Sequence, residues 1–361
     1  MARALRDAGV DLRIYTLTQG QFHEATLKAL GCELEWVGSR AHPLLRLHAL
    51  ARRLRGFRPH VIQSTHSFAN LYAGLLGRWL GCIGLGSLRS SLGFCRQGNG
   101  VWTPWLIRVP HAILVNAQTA LGELTRSRLV APRRLFWLPN AIDLSEYGQP
   151  HAAESEHRRF TAIFVGRLIP VKRIDRFLRA LALAVRQEPT VRALILGEGS
   201  ERAALERLAG ELSLGPEHVE FLGQQSEVPR WLRASDVLVH CSDDEGLPNA
   251  VLEAMAARLP VITTPAGDAP RIIRDGYNGY VVPFEDLDAM AERLLALVRS
   301  PSLRRRLGEA GRHEVELDYS LDGLAERLLS IYRTVAEQYH LPFPCGERSE
   351  TPPSYQESPA R

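Results

Sequence analysis

The sequence predicts two doubly wound α/β domains, and three observations carry that prediction. The chain has 361 residues, and at roughly 150 residues per domain two packed cores are expected. Short runs rich in Val, Ile and Leu alternate with longer helical patterns almost throughout, the mark of βαβ units and parallel sheets. A composition of 45% hydrophobic and 23% charged residues is that of a folded protein, not of a highly charged disordered one.

In chain order the first half reads as strand Asp11–Leu17, a helix from Phe22, strand Glu33–Val37, a helix from Pro43, strand His60–Ser64, a helix from Phe68 and strand Ile83–Leu88. A Gly-rich loop around Cys95–Pro104 follows, holding Arg96, Asn99 and Trp102. Then come strand Ala112–Val115, a helix from Ala117 and strand Leu135–Leu138. The second half places strands at Thr161–Val165, Ala193–Leu196, Val219–Phe221, Val237–His240, Val261–Ile262 and Tyr280–Val282, each followed by a helical pattern. Gly148, Pro150 and a polar run break the periodicity between Asp143 and Arg159, so a linker is expected there. Leu321, Leu324, Leu328, Ile331, Tyr332 and Val335 recur at helical spacing after the last strand, predicting a helix that crosses back to the first domain. The resulting division is 1–145, 158–318, a returning helix over 319–340, and a proline-rich disordered tail over 341–361.

Several function classes drop out early. The most apolar run, Trp79–Leu88, is short and holds three glycines, too little for a membrane span. The N-terminus lacks the apolar core of a secretory signal. Cys32, Cys82, Cys95, Cys241 and Cys345 are scattered, which suits reduced thiols in a cytoplasmic protein rather than a zinc cluster. The first half is strongly basic and the second acidic, and of all the basic residues only Lys28 and Lys172 are lysines. Such an arginine surface attracts phosphates, anionic headgroups or nucleic acid, or it is an ordinary solvated face written by an Arg-biased genome. No nucleic-acid recognition motif accompanies it.

Two stretches carry chemistry. In Phe164-Val165-Gly166-Arg167-Leu168-Ile169-Pro170-Val171-Lys172 an apolar strand ends at a glycine and delivers two cations. Ligands of open α/β sheets bind at the carboxyl ends of strands, and Arg167 and Lys172 suit diphosphate oxygens; two surface cations near a turn is the plainer alternative. After strand Val237–His240 comes Cys241-Ser242-Asp243-Asp244-Glu245-Gly246-Leu247-Pro248-Asn249-Ala250-Val251-Leu252-Glu253. Pro248 fits the first helical position, leaving the amides of Asn249, Ala250 and Val251 free as an anion site at the helix N-terminus. Glu245 and Glu253 bracket that site. Beside phosphates a carboxylate suits hydroxyls, as of a ribose or hexose, since it only accepts hydrogen bonds. An ordinary helix glutamate is the alternative for Glu253, but beside Ala254-Met255-Ala256 it falls on a helix the sheet should largely bury, where an unpaired carboxylate is expensive.

These residues resemble a known family. Gly166-Arg167 with Lys172, the Gly197-Glu198-Gly199 turn, and Glu245 with Glu253 across seven residues look like the retaining glycosyltransferases of family 4, with the GT-B fold of two Rossmann-like domains facing across a cleft. Pro139-Asn140-Ala141-Ile142-Asp143 matches a family segment with Ala141 in place of glycine. The resemblance implies that Arg167 and Lys172 hold and stabilise the departing diphosphate, that Glu245 contacts the donor sugar, and that Glu253 contacts the ribose. Gly166, Gly246, Leu247, Asn249, Ala250 and Val251 would complete the donor site. The donor would be a UDP- or GDP-linked sugar, a co-substrate rather than a cofactor, and the acceptor a saccharide or a lipid-linked one. No protein nucleophile and no metal is implied, although Asp243-Asp244-Glu245 superficially resembles an acidic metal motif. Where the family carries a histidine after strand Ile83–Leu88, this sequence has Arg89; His66, Arg89 and Asn140 are the acceptor-side and cleft candidates.

The resemblance also implies a first strand and Gly-rich loop, on the order of 20 residues by usual element lengths, ahead of Met1-Ala2-Arg3-Ala4. We therefore expect a start upstream of Met1 or a fragment. The amphipathic, Arg-rich segment Pro43–Arg58 either lies on an anionic membrane or covers a sheet and turns its arginines to solvent. The expected function is sugar transfer with retention in cell-surface glycan synthesis, at the cytoplasmic face of the membrane. A non-catalytic nucleotide-sugar binder and a sugar-nucleotide epimerase of the same fold are the rivals.

Overall fold

The computed structural model describes residues 1–20, 24–37, 42–147 and 159–344. The start expected at Phe22, most of the linker and Cys345 with the rest of the tail lie outside these residues. Among the described residues twelve strands are present, each within two residues of its expected place: β1 Arg13–Thr16, β2 Glu33–Trp36, β3 Val61–Gln63, β4 Ile83–Leu88, β5 Ala112–Val115, β6 Leu135–Trp137, β7 Thr161–Val165, β8 Arg192–Leu196, β9 Val219–Gly223, β10 Val237–His240, β11 Val261–Thr263 and β12 Gly279–Val281. They sort into two compact units.

The first unit comprises Met1–Val115, Leu121–Leu138 and the chain from Leu321. Its strands pair in parallel as β1-β2 and as β3-β4-β5-β6. β4 and β5 are buried at every position, as strands covered on both faces must be. Helix Pro43–Phe57 puts Leu50, Ala51 and Leu54 against Val37 and Leu76, joined by Tyr15 and Ile62. Its middle thus covers a core. Arg53 pairs with Glu35, Arg55 stacks over Trp79, and only Leu44 and Leu45 stay exposed at the near end. Helix Leu324–Tyr339 belongs to this unit: the Tyr332 hydroxyl donates to Gln63 at 2.6 Å and the Tyr339 hydroxyl to the His111 carbonyl at 2.9 Å.

The segment expected as a Gly-rich loop is instead two helices, Leu92–Asn99 and Thr103–Arg108, joined by a single 3-10 turn. Ser91 caps the first by accepting from the Phe94 amide at 3.0 Å, and Gly100, at φ 52°, ends it. The cap and the left-handed glycine outweigh the low helix propensity that Gly93 and Gly98 suggested.

The second unit, Asn116–Ala120 with Pro139–Ser320, holds one parallel sheet in the order β12-β11-β10-β7-β8-β9. Winding runs outward from β7 on one side and from β10 on the other, so the strand order reverses between these neighbours. They pair Ala162 with Val237 and Ile163 with Leu238. Helix Ile174–Gln187 buries Phe177, Leu178 and Leu181 on one face, and helix Leu287–Arg299 adds Leu294 and Leu297 to the same core. Helix Asn249–Ala256 is sandwiched against helix Pro301–Asp318, where the Arg312 guanidinium donates to the Ala256 carbonyl at 2.7 Å. That bond satisfies a free carbonyl at the helix end.

Candidate functional site

β7 and β10 both deliver their last residues to the reversal point, so the loops after them meet. The loop after β7 is held by its neighbour after β8. The Gly166 amide donates to the Leu196 carbonyl at 3.0 Å and the Leu168 amide to the Glu198 carbonyl at 2.9 Å. Gly197, at φ 141°, makes this approach feasible, because a Cβ there would stand 1.8 Å from the Gly166 oxygen. Leu168 is fully buried while Arg167, beside it, is exposed. The chain is pinned by one residue and presents the other.

A short turn, Pro170–Lys172, leads to Arg173 in the left-handed region at φ 46°. The β10 exit is stitched to this turn: the Asp243 amide donates to the Val171 carbonyl at 2.8 Å, and the Cys241 thiol to the Arg173 carbonyl at 3.0 Å. Arg176, its side chain 3% exposed, donates to Asp243 at 2.6 Å and to the Cys241 carbonyl at 3.2 Å. Asp243 also pairs with Arg173 at 3.3 Å. The Asp243 carboxylate therefore buttresses the two loops.

Glu245 is the centre of the arrangement. Its Oε1 pairs with the Lys172 ammonium, faces His240 Nε2 at 3.0 Å, and accepts from the Ser242 hydroxyl at 2.7 Å. Burial raises the carboxyl pKa, but the hydrogen bonds and charges of His240 and Lys172 outweigh it and bring the group down to about 2. Gly267, at φ 57°, lets the loop after β11 pass behind, where the Asp268 amide donates to the Gly246 carbonyl at 2.9 Å; a Cβ at Gly267 would stand 2.4 Å from that oxygen.

Helix Asn249–Ala256 begins one residue later than expected. Pro248 is its N-cap rather than its first helical residue and provides no side-chain cap, because at ψ 110° it is still extended. The amides of Asn249, Ala250 and Val251 remain the first-turn donors, while the Val251 side chain is buried in the core. Asn140, expected among the acceptor-side and cleft residues, lies in the second unit. Its amide nitrogen donates to Asn249 Oδ1 at 2.6 Å and to the Leu247 carbonyl at 3.3 Å. Glu253 behaves oppositely to Glu245. Burial first, and then the Glu146 carboxylate, push it up to about 7, and no side chain among the described residues donates to it. An acceptor of this kind suits incoming hydroxyl groups.

His66 and Arg89 lie in the first unit, where His66 stacks on Phe68 with centroids 5.6 Å apart. Sequence reasoning missed His240, Ser242 and Asp243. Their position at and just beyond the end of β10 was the available signal, since the strand-end rule that selected Arg167 and Lys172 applies there as well.

The family model described as Glycosyltransferase Family 4 matches residues 1–146, and that described as Glycosyl transferases group 1 matches residues 149–314. The chain belongs to glycosyltransferase family 4. Among curated relatives of this family 4 chain, Spore coat protein SA of Bacillus subtilis is 34% identical over 244 residues, 61% of this chain and 64% of that protein. A GDP-mannose-dependent monoacylated alpha-(1-6)-phosphatidylinositol monomannoside mannosyltransferase of Corynebacterium glutamicum is 33% identical over 177 residues, 46% of this chain and 45% of that one. The chain spans 26% to 64% of the length of the first curated relatives it matches. The crystal structure of Anabaena HepE in complex with UDP-glucose superposes with a TM-score of 0.82 at 16% identity, covering 92% of this chain and 94% of that one. The fold of this family 4 chain is GT-B.

Proposed function

We propose that this chain transfers a sugar from a UDP- or GDP-linked donor to a saccharide or lipid-linked acceptor, with retention at the anomeric carbon and without a metal, in cell-surface glycan synthesis. One observation carries the reading. The loop after β7, with exposed Arg167, and the loop after β10, with the Lys172–Glu245–His240 cluster, meet at the reversal point of a parallel sheet, and the second loop runs into a helix that carries Glu253, buried with no side-chain donor among the described residues.

In this reading Arg167, Lys172 and the amides of Asn249–Val251 receive the charge that develops on the leaving diphosphate. Lys172, paired with Glu245, and the backbone amides are fixed before the reaction, which is what makes such stabilisation effective. Lys172 reaches the phosphates by sharing itself between them and Glu245. Glu245, ionised and held by Ser242 and His240, accepts hydroxyls of the donor sugar, and Glu253 accepts those of the ribose. Transfer on one face needs no protein nucleophile, and none is assigned. The relatives and the UDP-glucose-bound neighbour support the donor class, not the sugar or the acceptor.

Calorimetric titration with UDP, GDP and their sugars tests the reading. One nucleotide series should bind, and Arg167→Ala should weaken it about tenfold or more, as loss of a charge-assisted phosphate contact does. Tight donor binding with neither hydrolysis nor transfer would favour the non-catalytic binder. Interconversion of the donor sugar without acceptor would favour the epimerase.

A further inference from the structure

The segment that folds as two helices instead of a loop carries a row of uncovered apolar side chains. Phe94 is 44% exposed, Val101 85%, Trp102 63% and Trp105 60%, and Phe68 on the adjoining turn is 52% exposed. They belong to a rigid piece. Leu92, Cys95, Leu106 and Ile107 bury the opposite side of the same helices. Asn99 donates to the Cys95 carbonyl at 2.9 Å and reaches Ser67 at 3.5 Å, and the Thr103 hydroxyl donates to the Gly100 carbonyl at 3.0 Å. Folding therefore holds two tryptophans in water, an arrangement that marks an interaction site.

Charge selects the partner. Between Glu35 and Glu123 the sequence holds ten arginines and not one aspartate or glutamate, and Arg96 and Arg108 are exposed on the aromatic segment itself. A second copy of this chain would bring the same cationic surface to a two-fold interface. Exposed tryptophan and phenylalanine interspersed with exposed arginines in one segment instead match the boundary between acyl chains and anionic headgroups. Helix Pro43–Phe57 offers less, since most of its apolar face lies in the core. No described helix is long and apolar enough to span a membrane, so the contact is superficial.

We propose that Phe94, Val101, Trp102 and Trp105, flanked by Arg96 and Arg108, dock the first unit onto an anionic lipid bilayer. The inference rests on the lipid-linked branch of the proposed function: an acceptor sugar held by a lipid is presented to a protein seated on the same leaflet.

The test is co-sedimentation of the full chain with phosphatidylcholine vesicles, with and without phosphatidylglycerol, while UDP binding is followed by calorimetry on the same preparations. Binding is expected only with phosphatidylglycerol. Trp102→Ser with Trp105→Ser should weaken it at least about tenfold, since each indole brings a large apolar area to the interface, and should leave UDP affinity unchanged. Val101→Glu, at the most exposed position, should weaken vesicle binding with no demand on the fold. No binding to phosphatidylglycerol vesicles at low salt, unaltered binding by both variants, or a vesicle-independent dimer that the tryptophan variant dissolves would each overturn the proposal. Vesicle binding without binding of any nucleotide would count against the donor reading alone.

Discussion

His240 Nε2 stands 3.0 Å from Glu245 Oε1, and the Nδ1 of the same ring stands 3.0 Å from the Thr263 hydroxyl. That hydroxyl also lies 3.0 Å from the Thr264 carbonyl, so the ring is held from both sides. The other nitrogen faces an ionised carboxylate. Nε2 donates to that carboxylate, which makes His240 a positioning residue for Glu245.

His240→Leu should leave the buried Glu245 one donor short and cost about 1–3 kcal/mol of stability. His240→Gln, which keeps one donor, should cost less. Urea unfolding checks the order, and equal losses in the two variants would mean that packing rather than donation matters.

Glu245 itself makes stability depend on acid. Its pKa in the folded chain, about 2, lies below that of the unfolded chain. Its contribution is therefore complete above the ordinary glutamate range near 4.5 and is lost as pH falls toward 2. The stability gap between wild type and Glu245→Gln should stay level above that range and narrow by up to about 3 kcal/mol as pH falls through it. A gap independent of pH would contradict the pairing.

Glu253 should show the opposite slope. Its pKa is raised to about 7, so the folded chain favours the protonated form, and stability present below about 4.5 declines as pH rises through 7. Glu253→Gln should flatten that decline in a melting series. If ribose hydroxyls donate to Glu253, UDP binding favours the ionised form and releases a proton just below pH 7. Calorimetry in buffers of different ionisation enthalpy would detect it, and the glutamine variant should abolish it.

Gly197 tests the scaffold beneath Arg167. A methyl group there meets the Gly166 carbonyl at 1.8 Å, backbone against side chain with nothing flexible to yield. Gly197→Ala should destabilise the chain by about 2–4 kcal/mol and weaken nucleotide binding. Gly210→Ala, which meets nothing within 4 Å, serves as the control and should be neutral or mildly stabilising.

Most strands were legible because they are short apolar runs bounded by polar or glycine residues, buried whole at β4 and β5; β2, Glu33–Trp36, is an alternating and largely exposed exception. The pair of helices after β4 was not, because its stability comes from the Ser91 cap and the buried Leu106 and Ile107 rather than from propensity. At the site, Arg167, Lys172, Glu245 and Glu253 stand out by charge and spacing. His240, Ser242 and Asp243 do not, since what qualifies them is contact across loops: Lys172 meets Glu245 across 73 positions and Arg176 meets Asp243 across 67. Asn140 was legible as a motif residue, whereas its bonds to Leu247 and Asn249 were not.

The most direct measurement is proton NMR of a reaction containing the full chain, the nucleotide sugar that binds best and a lipid-linked saccharide acceptor. We predict release of the nucleoside diphosphate together with a new glycosidic signal of the same anomeric configuration as the donor, both lost in Glu245→Ala. An inverted product, or transfer undiminished in that variant, would contradict the account.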